Sequence, residues 1–319
     1  MRPKVYTNGM AQDSIWDAKQ KASAFAVSTA LALAAAKFVV GLMSGSMTVV
    51  SSGLDSLVDV FMSAMNFFAI RTAAQPADDE HNYGHGKAES IAGSIQAVVI
   101  VLTGAFIIYQ AAKEFLGGER IAYSSWDLVV MCLSLVFSLV ISSVLRRTGR
   151  RTESDALKAD ALHYTSDLYS NSAAIVAMVL TYCTGRTYFD HAFAVITGLI
   201  IAFSAVKILK GSLSGLMDRR ISSDVEREIK AIIEDMPFPY AGYHKLRTRF
   251  SGNKKYLDFH LLTCRKLRID EAHELAHEIE GRIAEKIPSL DTVIHVEPCA
   301  FPCELTEGSC TVIRMRLQK

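Results

Sequence analysis

Two short motifs place acidic and imidazole side chains one helical turn apart within apolar stretches of the chain. Asp55 and Asp59 form the first motif, and His163 and Asp167 form the second. In an α-helix, side chains four residues apart project from the same face. Carboxylates in a low-dielectric environment are costly unless something compensates them. The neighbouring residues are apolar on both sides, which argues against the alternative that a carboxylate lies in water at the edge of its stretch.

The combined donor set predicts a site for a divalent transition metal. The two motifs offer one imidazole nitrogen and three carboxylates, which is enough for tetrahedral coordination. Hard octahedral ions would favour oxygen ligands alone, and copper(I) would favour sulfur. Zinc or cadmium therefore fits best, with iron, cobalt and manganese as alternatives. Asp160 and Asn171 extend the polar face of the second motif.

Further candidate ligands lie outside the apolar stretches. Asp78, His81 and His85 occupy one short polar loop and could converge on a metal ion at a membrane surface, the alternative being a solvated acidic loop. The last third of the chain is also rich in histidine. These residues are His244, His260, His273, His277 and His295, and the last of them lies two residues before Glu297. In an extended strand, residues two apart share a face.

The elements that must position these residues are long apolar helices. A membrane-spanning helix needs ~20 mostly apolar residues. Six segments qualify, at about 22–44, 47–71, 90–115, 126–146, 158–183 and 188–210. Polar loops are expected between them, including the segment 71–89 and the arginine cluster 146–151. The sequence thus predicts a multi-pass α-helical membrane domain at residues 1–215.

Basic residues predict the orientation of the helices. Lys and Arg are concentrated on the side that holds the cluster 146–151, whereas the other side has little beyond Arg120 and Arg186. Because short cytoplasmic loops carry the excess of positive charge, both termini are expected in the cytoplasm. The first twenty residues lack the pattern of a removable signal peptide. We therefore predict an inner-membrane protein in contact with lipid.

The C-terminal third has the pattern of a small soluble domain. Helices are predicted at about 223–236 and 269–287, and strands at about 243–250, 255–263 and 291–297. This α-β-β-α-β order predicts an open-faced α+β domain at residues 216–300, followed by a tail at 301–319. The net charge of +1 gives no reason to expect nucleic acid as a partner.

Cysteines and one motif suggest other chemistry. The spacing of Cys299 and Cys303 could hold a soft metal, although a pair of free thiols in a reducing cytosol is the simpler interpretation. The segment His273-Glu274-Leu275-Ala276-His277 fits the H-E-x-x-H pattern of zinc proteases, in which the glutamate is a general base. A domain of about 80 residues leaves no room for a substrate cleft, so we predict that the protein is not an enzyme.

The two paired motifs, the stretch from Gly84 to Ser90 and the segment from Leu216 to Arg219 together resemble the cation diffusion facilitator family, and most closely its bacterial zinc-transporting branch. The resemblance covers nearly the whole chain to Cys299. It implies a homodimer of six-helix domains with cytoplasmic metallochaperone-like domains.

The resemblance also implies three metal sites and one contact between protomers. The transport site would comprise Asp55, Asp59, His163 and Asp167; the loop site would comprise Asp78, His81 and His85; and the binuclear cytoplasmic site would comprise His244, His260, His273, His295 and position 297. That position is Glu297, where the family pattern leads us to expect aspartate. Lys87 and Asp218 would form a charge interlock in the dimer. The tail with Cys303 and Cys310 departs from the family pattern.

The function expected from these features is efflux of a divalent metal, zinc first, in exchange for protons by alternating access. Cadmium, iron and manganese are further candidate ions. Metal and protons would compete for the same carboxylates and imidazole. The alternative is a membrane metal sensor that does not transport, although a sensor has no need of a costly site within the membrane.

Overall fold

The computed structural model describes residues 9–44, 47–117, 125–184, 188–236, 242–252, 254–287 and 289–299. The chain divides near Met217 into two compact units. The predicted tail at 301–319, with Cys303 and Cys310, lies outside the described residues, as do Arg120 and Arg186.

Within the described ranges, the first unit has six long helices. They are α1 (Gly9–Ser44), α2 (Met47–Ala73), α3 (Lys87–Gly117), α4 (Ser125–Arg151), α5 (Asp155–Thr184) and α6 (Tyr188–Leu216). Among the described residues, five of these helices, all except α5, are long and apolar enough to cross a membrane. Helix α5 has sufficient length at 30 residues. Charged residues such as Asp160, His163 and Asp167 interrupt its apolar character, so composition alone does not confirm the sixth predicted span.

The arginine cluster 146–151 is helical, so its assignment to a loop was wrong. Helix α4 continues to Arg151. Positive side chains are favourable in the last turn of a helix, where they oppose the partial negative charge of the exposed carbonyls. The chain then reverses at Glu153, whose φ of 53° lies in the left-handed region. Helix α5 begins with the hydroxyl of Ser154 accepting a hydrogen bond from the N–H of Leu157 at 3.3 Å.

Close helix packing and buried polar pairs hold the first unit together. Helices α3 and α6 meet at Gly104 and Gly198, where a Cβ on Gly104 would lie 2.9 Å from the carbonyl oxygen of Gly198. Only small residues permit such an approach. At the end of the bundle where α3 begins, Lys19 on α1 and Glu89 on α3 form a fully buried ion pair of 2.6 Å. Ser154 donates a hydrogen bond to the same carboxylate, which joins the start of α5 to this pair.

The part of the second unit that the structure describes has two helices and one sheet. Its elements are α7 (Ser223–Glu234), β1 (Gly242–Ser251), β2 (Lys254–Thr263), α8 (Ile269–Lys286) and β3 (Leu290–Pro298). The sheet order is β1-β2-β3; β1 and β2 are antiparallel, while β2 and β3 are parallel and joined through α8. The α-β-β-α-β order is therefore confirmed.

The hydrophobic core of this unit lies on one side of the sheet. Leu257, Phe259 and Leu261 alternate along β2 and pack with Ile229 of α7 and Ile279 of α8. Because side chains alternate along a strand, the residues between them, including His260, project to the other face. The open face is thus available for polar side chains.

Candidate functional site: three metal-ligand clusters

The two paired motifs meet in the helical unit. Asp59 on α2 and His163 and Asp167 on α5 each contribute one ligand-type atom, and these atoms lie within 4.8 Å of one another. The Nε2 atom of His163 is 2.9 Å from Oδ1 of Asp59. The four-residue spacing on α5 presents its imidazole and carboxylate to the same partner helix. One nitrogen and two carboxylates thus converge at distances that a single ion could bridge.

Asp55 does not join this group. It lies one turn earlier on α2, and its carboxylate is not among the three clustered ligand atoms. Its neighbour in the chain, Ser56, accepts a hydrogen bond of 2.8 Å from Nζ of Lys37 on α1. Lys37 is buried, with 7% of its surface exposed. A basic side chain within the helical unit therefore lies beside the acidic motif of α2.

A second polar layer adjoins the cluster, and sequence reasoning identified only one of its members. Oδ1 of Asp160 accepts hydrogen bonds from Ser63 at 3.0 Å and from Gln96 at 3.1 Å. The hydroxyls of Ser63 and Tyr164 are 2.8 Å apart, and Asn66 bonds to Gln96. All five side chains are buried. The available signal was a set of polar residues within apolar stretches of α2 and α3.

The side chain of Asn171, one turn after Asp167, bonds within its own helix. Its side-chain amide donates a hydrogen bond of 2.8 Å to the backbone carbonyl of Asp167. Such a contact, from a polar side chain to the preceding turn of its own helix, is common and satisfies the amide locally.

The loop residues form a second cluster of possible ligands. Asp78, His81 and His85 have ligand-type atoms within 4.8 Å of one another. Asp78 lies 3.3 Å from Nδ1 of His81 and 3.4 Å from Nε2 of His85. The backbone N–H groups of Glu80 and His81 donate to Asp78. The hydrogen bond from the His81 backbone is the main cause that lowers the pKa of Asp78, with a smaller contribution from the nearby imidazoles.

The third cluster lies on the open face of the sheet. Strand pairing places His244, His260 and His295 in one row across β1, β2 and β3. The carboxylate of Glu297 lies 2.6 Å from Nδ1 of His260, 3.1 Å from Nε2 of His244 and 3.8 Å from Nε2 of His295. The glutamate side chain thus reaches all three imidazoles. Its hydrogen bond with His260 is the main cause that lowers the pKa of Glu297.

His273 lies apart from that cluster. On α8 its ring stacks with the ring of His277 at a centroid distance of 6.1 Å. His277 also lies 3.7 Å from Glu280. Among the described residues, no group of three or more ligand-type side chains includes either histidine of the H-E-x-x-H segment. The membership of His273 in a metal site remains a prediction.

The two residues of the predicted dimer interlock have partners within their own units. Nζ of Lys87 donates to the carbonyl of Leu216 at 3.2 Å. Asp218 accepts a hydrogen bond of 3.4 Å from Arg249 and has a φ of 53°. Their pairing across a dimer stays a prediction.

Cys299, the cysteine at the end of the described residues, is a free thiol. Its backbone N–H donates a hydrogen bond of 2.8 Å to the carbonyl of Thr263.

Comparison with known proteins gives matches to both units. The cation efflux transmembrane domain matches residues 23–217, and the cytoplasmic domain of cation efflux proteins matches residues 221–299. The cation-efflux pump FieF of Pectobacterium carotovorum subsp. carotovorum is 34% identical over 91% of this chain and 96% of its own length. The FieF pump of Shewanella oneidensis is 33% identical over 91% of this chain and 97% of its own length.

One solved structure is the metal-bound C-terminal domain of the CzcD transporter from Thermotoga maritima. It is 29% identical and covers 24% of this chain and 87% of its own length, with a TM-score of 0.23. The two domain matches and the full-length relatives confirm the family that the motifs indicated. The chain belongs to the cation efflux, or cation diffusion facilitator, family of membrane transporters.

Proposed function

We propose that this cation efflux protein exports a divalent transition metal, zinc as the first candidate, in exchange for protons. The observation that carries the proposal is the cluster of Asp59, His163 and Asp167 between two helices of the membrane unit. Ionisable residues within membrane helices are costly and are usually retained for transport or proton relay. The relatives are named cation-efflux pumps, which agrees with this direction of transport.

The donor set supports zinc or cadmium over harder ions. An imidazole nitrogen among carboxylate oxygens suits zinc, whereas magnesium, calcium and manganese prefer oxygen ligands. Asp55 would complete a tetrahedral set after a modest rearrangement of α2 against α5. Iron and manganese are the less favoured cargoes of the same site.

Exchange with protons follows from the chemistry of these ligands. A metal ion binds deprotonated carboxylates and neutral imidazole, so binding must release any protons that the empty site holds. In a low-dielectric bundle, the negative charges need either metal, protons or a nearby cation such as Lys37. Alternating access would expose this competition first to the cytoplasm and then to the opposite side.

The two domains would have separate tasks in a homodimer. Residues 1–215 would form the transport domain in the inner membrane, with both termini in the cytoplasm, as the distribution of Lys and Arg predicts. Residues 216–300 would bind cytosolic metal through His244, His260, His295 and Glu297, with His273 contributed as a further ligand. Metal at this site would tighten the dimer, together with the interlock of Lys87 and Asp218.

Flux into liposomes that contain the purified full-length protein tests the proposal. Zinc, cadmium, iron and manganese are supplied outside, with an outward proton gradient imposed across the bilayer. We expect zinc uptake that increases with the gradient and is accompanied by proton release. Metal binding without flux of any of the four ions would instead support the sensor.

A further inference from the structure

A groove at one end of the helical unit combines cationic side chains from three helices. Arg146 and Arg150 on α4, Lys158 on α5 and Lys207 on α6 line this groove, whose volume is about 550 Å³. The two arginines are four residues apart and therefore lie on one face of α4. The groove is at the end of the bundle where α4 finishes and α5 begins.

The same groove continues over apolar surface. Leu162 and Tyr169 of α5 and Phe203 and Ile208 of α6 also line it. Phe203 is 78% exposed and Tyr169 is 44% exposed. Because these residues belong to membrane helices, the exposed apolar surface can contact hydrocarbon, while the cations lie nearer the helix ends. The groove therefore has one charged end and one apolar end.

Most of the positive charge in the groove has no counter-charge on the protein. Lys158 lies 3.3 Å from Asp155. In the part of the chain that the structure describes, Arg146, Arg150 and Lys207 form no hydrogen bond or ion pair. Like charges converging on one groove repel each other unless an anion lies among them. The uncompensated charge thus points to a negatively charged ligand.

We propose that this groove binds an anionic phospholipid, with its phosphate beside Arg146, Arg150 and Lys207 and an acyl chain along Leu162 and Phe203. Basic pockets between membrane helices favour anionic headgroups. Arginine presents a planar fork that matches phosphate oxygens. A free phosphate ion would use the charged end alone and would gain nothing from the apolar surface, so the lipid fits both ends of the groove.

Lipid in this groove would contact the helix that carries the metal cluster. Leu162 and Tyr169 flank His163 and Asp167 on α5. A bound lipid would therefore resist movement of α5 against α4 and α6, and we expect transport to depend on anionic lipid. This consequence rests on the proposed function, whereas lipid binding itself does not.

Native mass spectrometry of the full-length protein in detergent tests the binding. Dioleoylphosphatidylglycerol and dioleoylphosphatidylcholine are titrated against wild type and two double variants. Arg146→Gln with Arg150→Gln removes the groove arginines. Arg147→Gln with Arg151→Gln removes the same charge from arginines of the same helix end that do not line the groove.

We expect wild type to prefer phosphatidylglycerol and the groove variant to bind it roughly thirtyfold more weakly, as two lost cationic contacts imply. The control variant should stay within about threefold of wild type. An equal loss of affinity in both variants would mean that the lipid is attracted by the overall surface charge and not by this groove. Equal binding of the two lipids would mean that the charge of the headgroup does not contribute. Either result overturns the proposal.

Competition experiments distinguish lipid from free phosphate. Inorganic phosphate and glycerol 3-phosphate are added in excess to the complex with phosphatidylglycerol. We expect neither to displace the lipid, because both lack an acyl chain. Full displacement by either compound would show a headgroup-only site and overturn the proposal. Ser204→Trp, which narrows the groove and keeps every cation, should reduce lipid binding if the variant has the wild-type thermal stability.

Flux in liposomes separates this inference from the proposed function. We expect wild type to transport faster with phosphatidylglycerol than with phosphatidylcholine alone, and the groove variant to lose that difference. Lipid binding without any metal flux would contradict the proposed function and leave the site intact. Metal flux that is equal in liposomes with and without phosphatidylglycerol would overturn the expected dependence of transport on this site.

Discussion

The metal-ligand cluster of the helices and that of the sheet use the same types of side chain in different surroundings. Both combine imidazole with carboxylate, and both have ligand-type atoms within 4.8 Å of one another. In the helical unit, His163 and Asp59 keep 14% and 21% of their side-chain surface exposed. On the sheet, the clustered His244, His260 and Glu297 keep 39%, 18% and 27%. The exposed fractions overlap, so the difference lies chiefly in the surroundings: the helical cluster adjoins a buried polar layer, whereas the sheet cluster lies on an open face.

These surroundings decide what each cluster can do. The helical cluster adjoins the buried layer around Asp160, so a change in its charge is poorly screened and must be compensated by an ion or a proton. The carboxylate of Glu297 is partly solvated and hydrogen-bonded, so metal can exchange there with little change in the surrounding structure. The first arrangement would suit the proposed coupled transport, and the second would suit the proposed sensing of cytosolic metal.

Removal of a ligand from the helical cluster should have the largest effect. We predict that Asp167→Asn lowers zinc flux by roughly a hundredfold or more, because even groups outside the coordination sphere often cost 10- to 100-fold when removed. Flux into liposomes at fixed zinc concentration is the measurement. Asn171→Ala, one turn further along α5, is the matched control and should transport normally. Wild-type flux in Asp167→Asn would remove Asp167 from the site.

Replacement of the only nitrogen ligand should change the preferred metal. In His163→Asp the donor set becomes all carboxylate, which favours harder ions. We predict that the ratio of zinc flux to manganese flux falls by roughly tenfold relative to wild type. Competition between the two ions in one liposome preparation measures this ratio. An unchanged ratio would contradict the role of His163 as a ligand.

A matched pair of variants in the cytoplasmic domain should show a smaller, regulatory effect. We predict that Glu297→Gln raises the cytosolic zinc concentration for half-maximal flux a few-fold, because an uncharged amide replaces the carboxylate beside three imidazoles. Maximal flux should stay near that of wild type. Glu274→Gln, on α8 and outside the cluster, should change neither quantity. If the wild-type protein had proteolytic activity and Glu274→Gln abolished it, the zinc-protease interpretation would be supported instead.

The smallest expected effect concerns the stability of α7. Glu226 accepts a hydrogen bond from Lys230 at 2.8 Å and lies 3.6 Å from Arg220. The bond from Lys230 is the main cause that lowers the pKa of Glu226 below its ordinary 4.5. A lowered pKa in the folded state adds stability above the unfolded pKa, and this contribution is lost as the pH falls through the folded pKa.

Glu226→Gln should therefore lower the free energy of unfolding at neutral pH by about 0.5 kcal/mol, as expected for a helix ion pair near the surface. The difference from wild type should shrink as the pH falls below 4.5 and then vanish. Thermal unfolding of the full chain in detergent, at several pH values, measures it. Glu228→Gln on the exposed face of α7 is the control. A difference that does not vary with pH would argue against the ion pair.

The sequence predicted the helical unit well where the length of an apolar stretch and the spacing of its polar residues indicated the same helix. Apolar stretches located all six long helices, and the i,i+4 motifs located the faces that meet at Asp59, His163 and Asp167. The end of α4 was missed because arginines at 146–151 are equally compatible with a loop and with the last turns of a helix. Arginine side chains are stabilised near the C-terminus of a helix, but the sequence alone does not say at which residue that terminus lies.

The tertiary structure alone decided which of the candidate ligands converge. The sequence determined the ligand types, their spacing along each helix or strand, and therefore the family. It did not determine that Asp55 would lie outside the cluster and Lys37 beside Ser56, because these depend on how α1, α2 and α5 are placed against one another. Nor did it show that Glu297 reaches three imidazoles, since strand register sets which histidines are neighbours, and register arises from packing of the whole sheet.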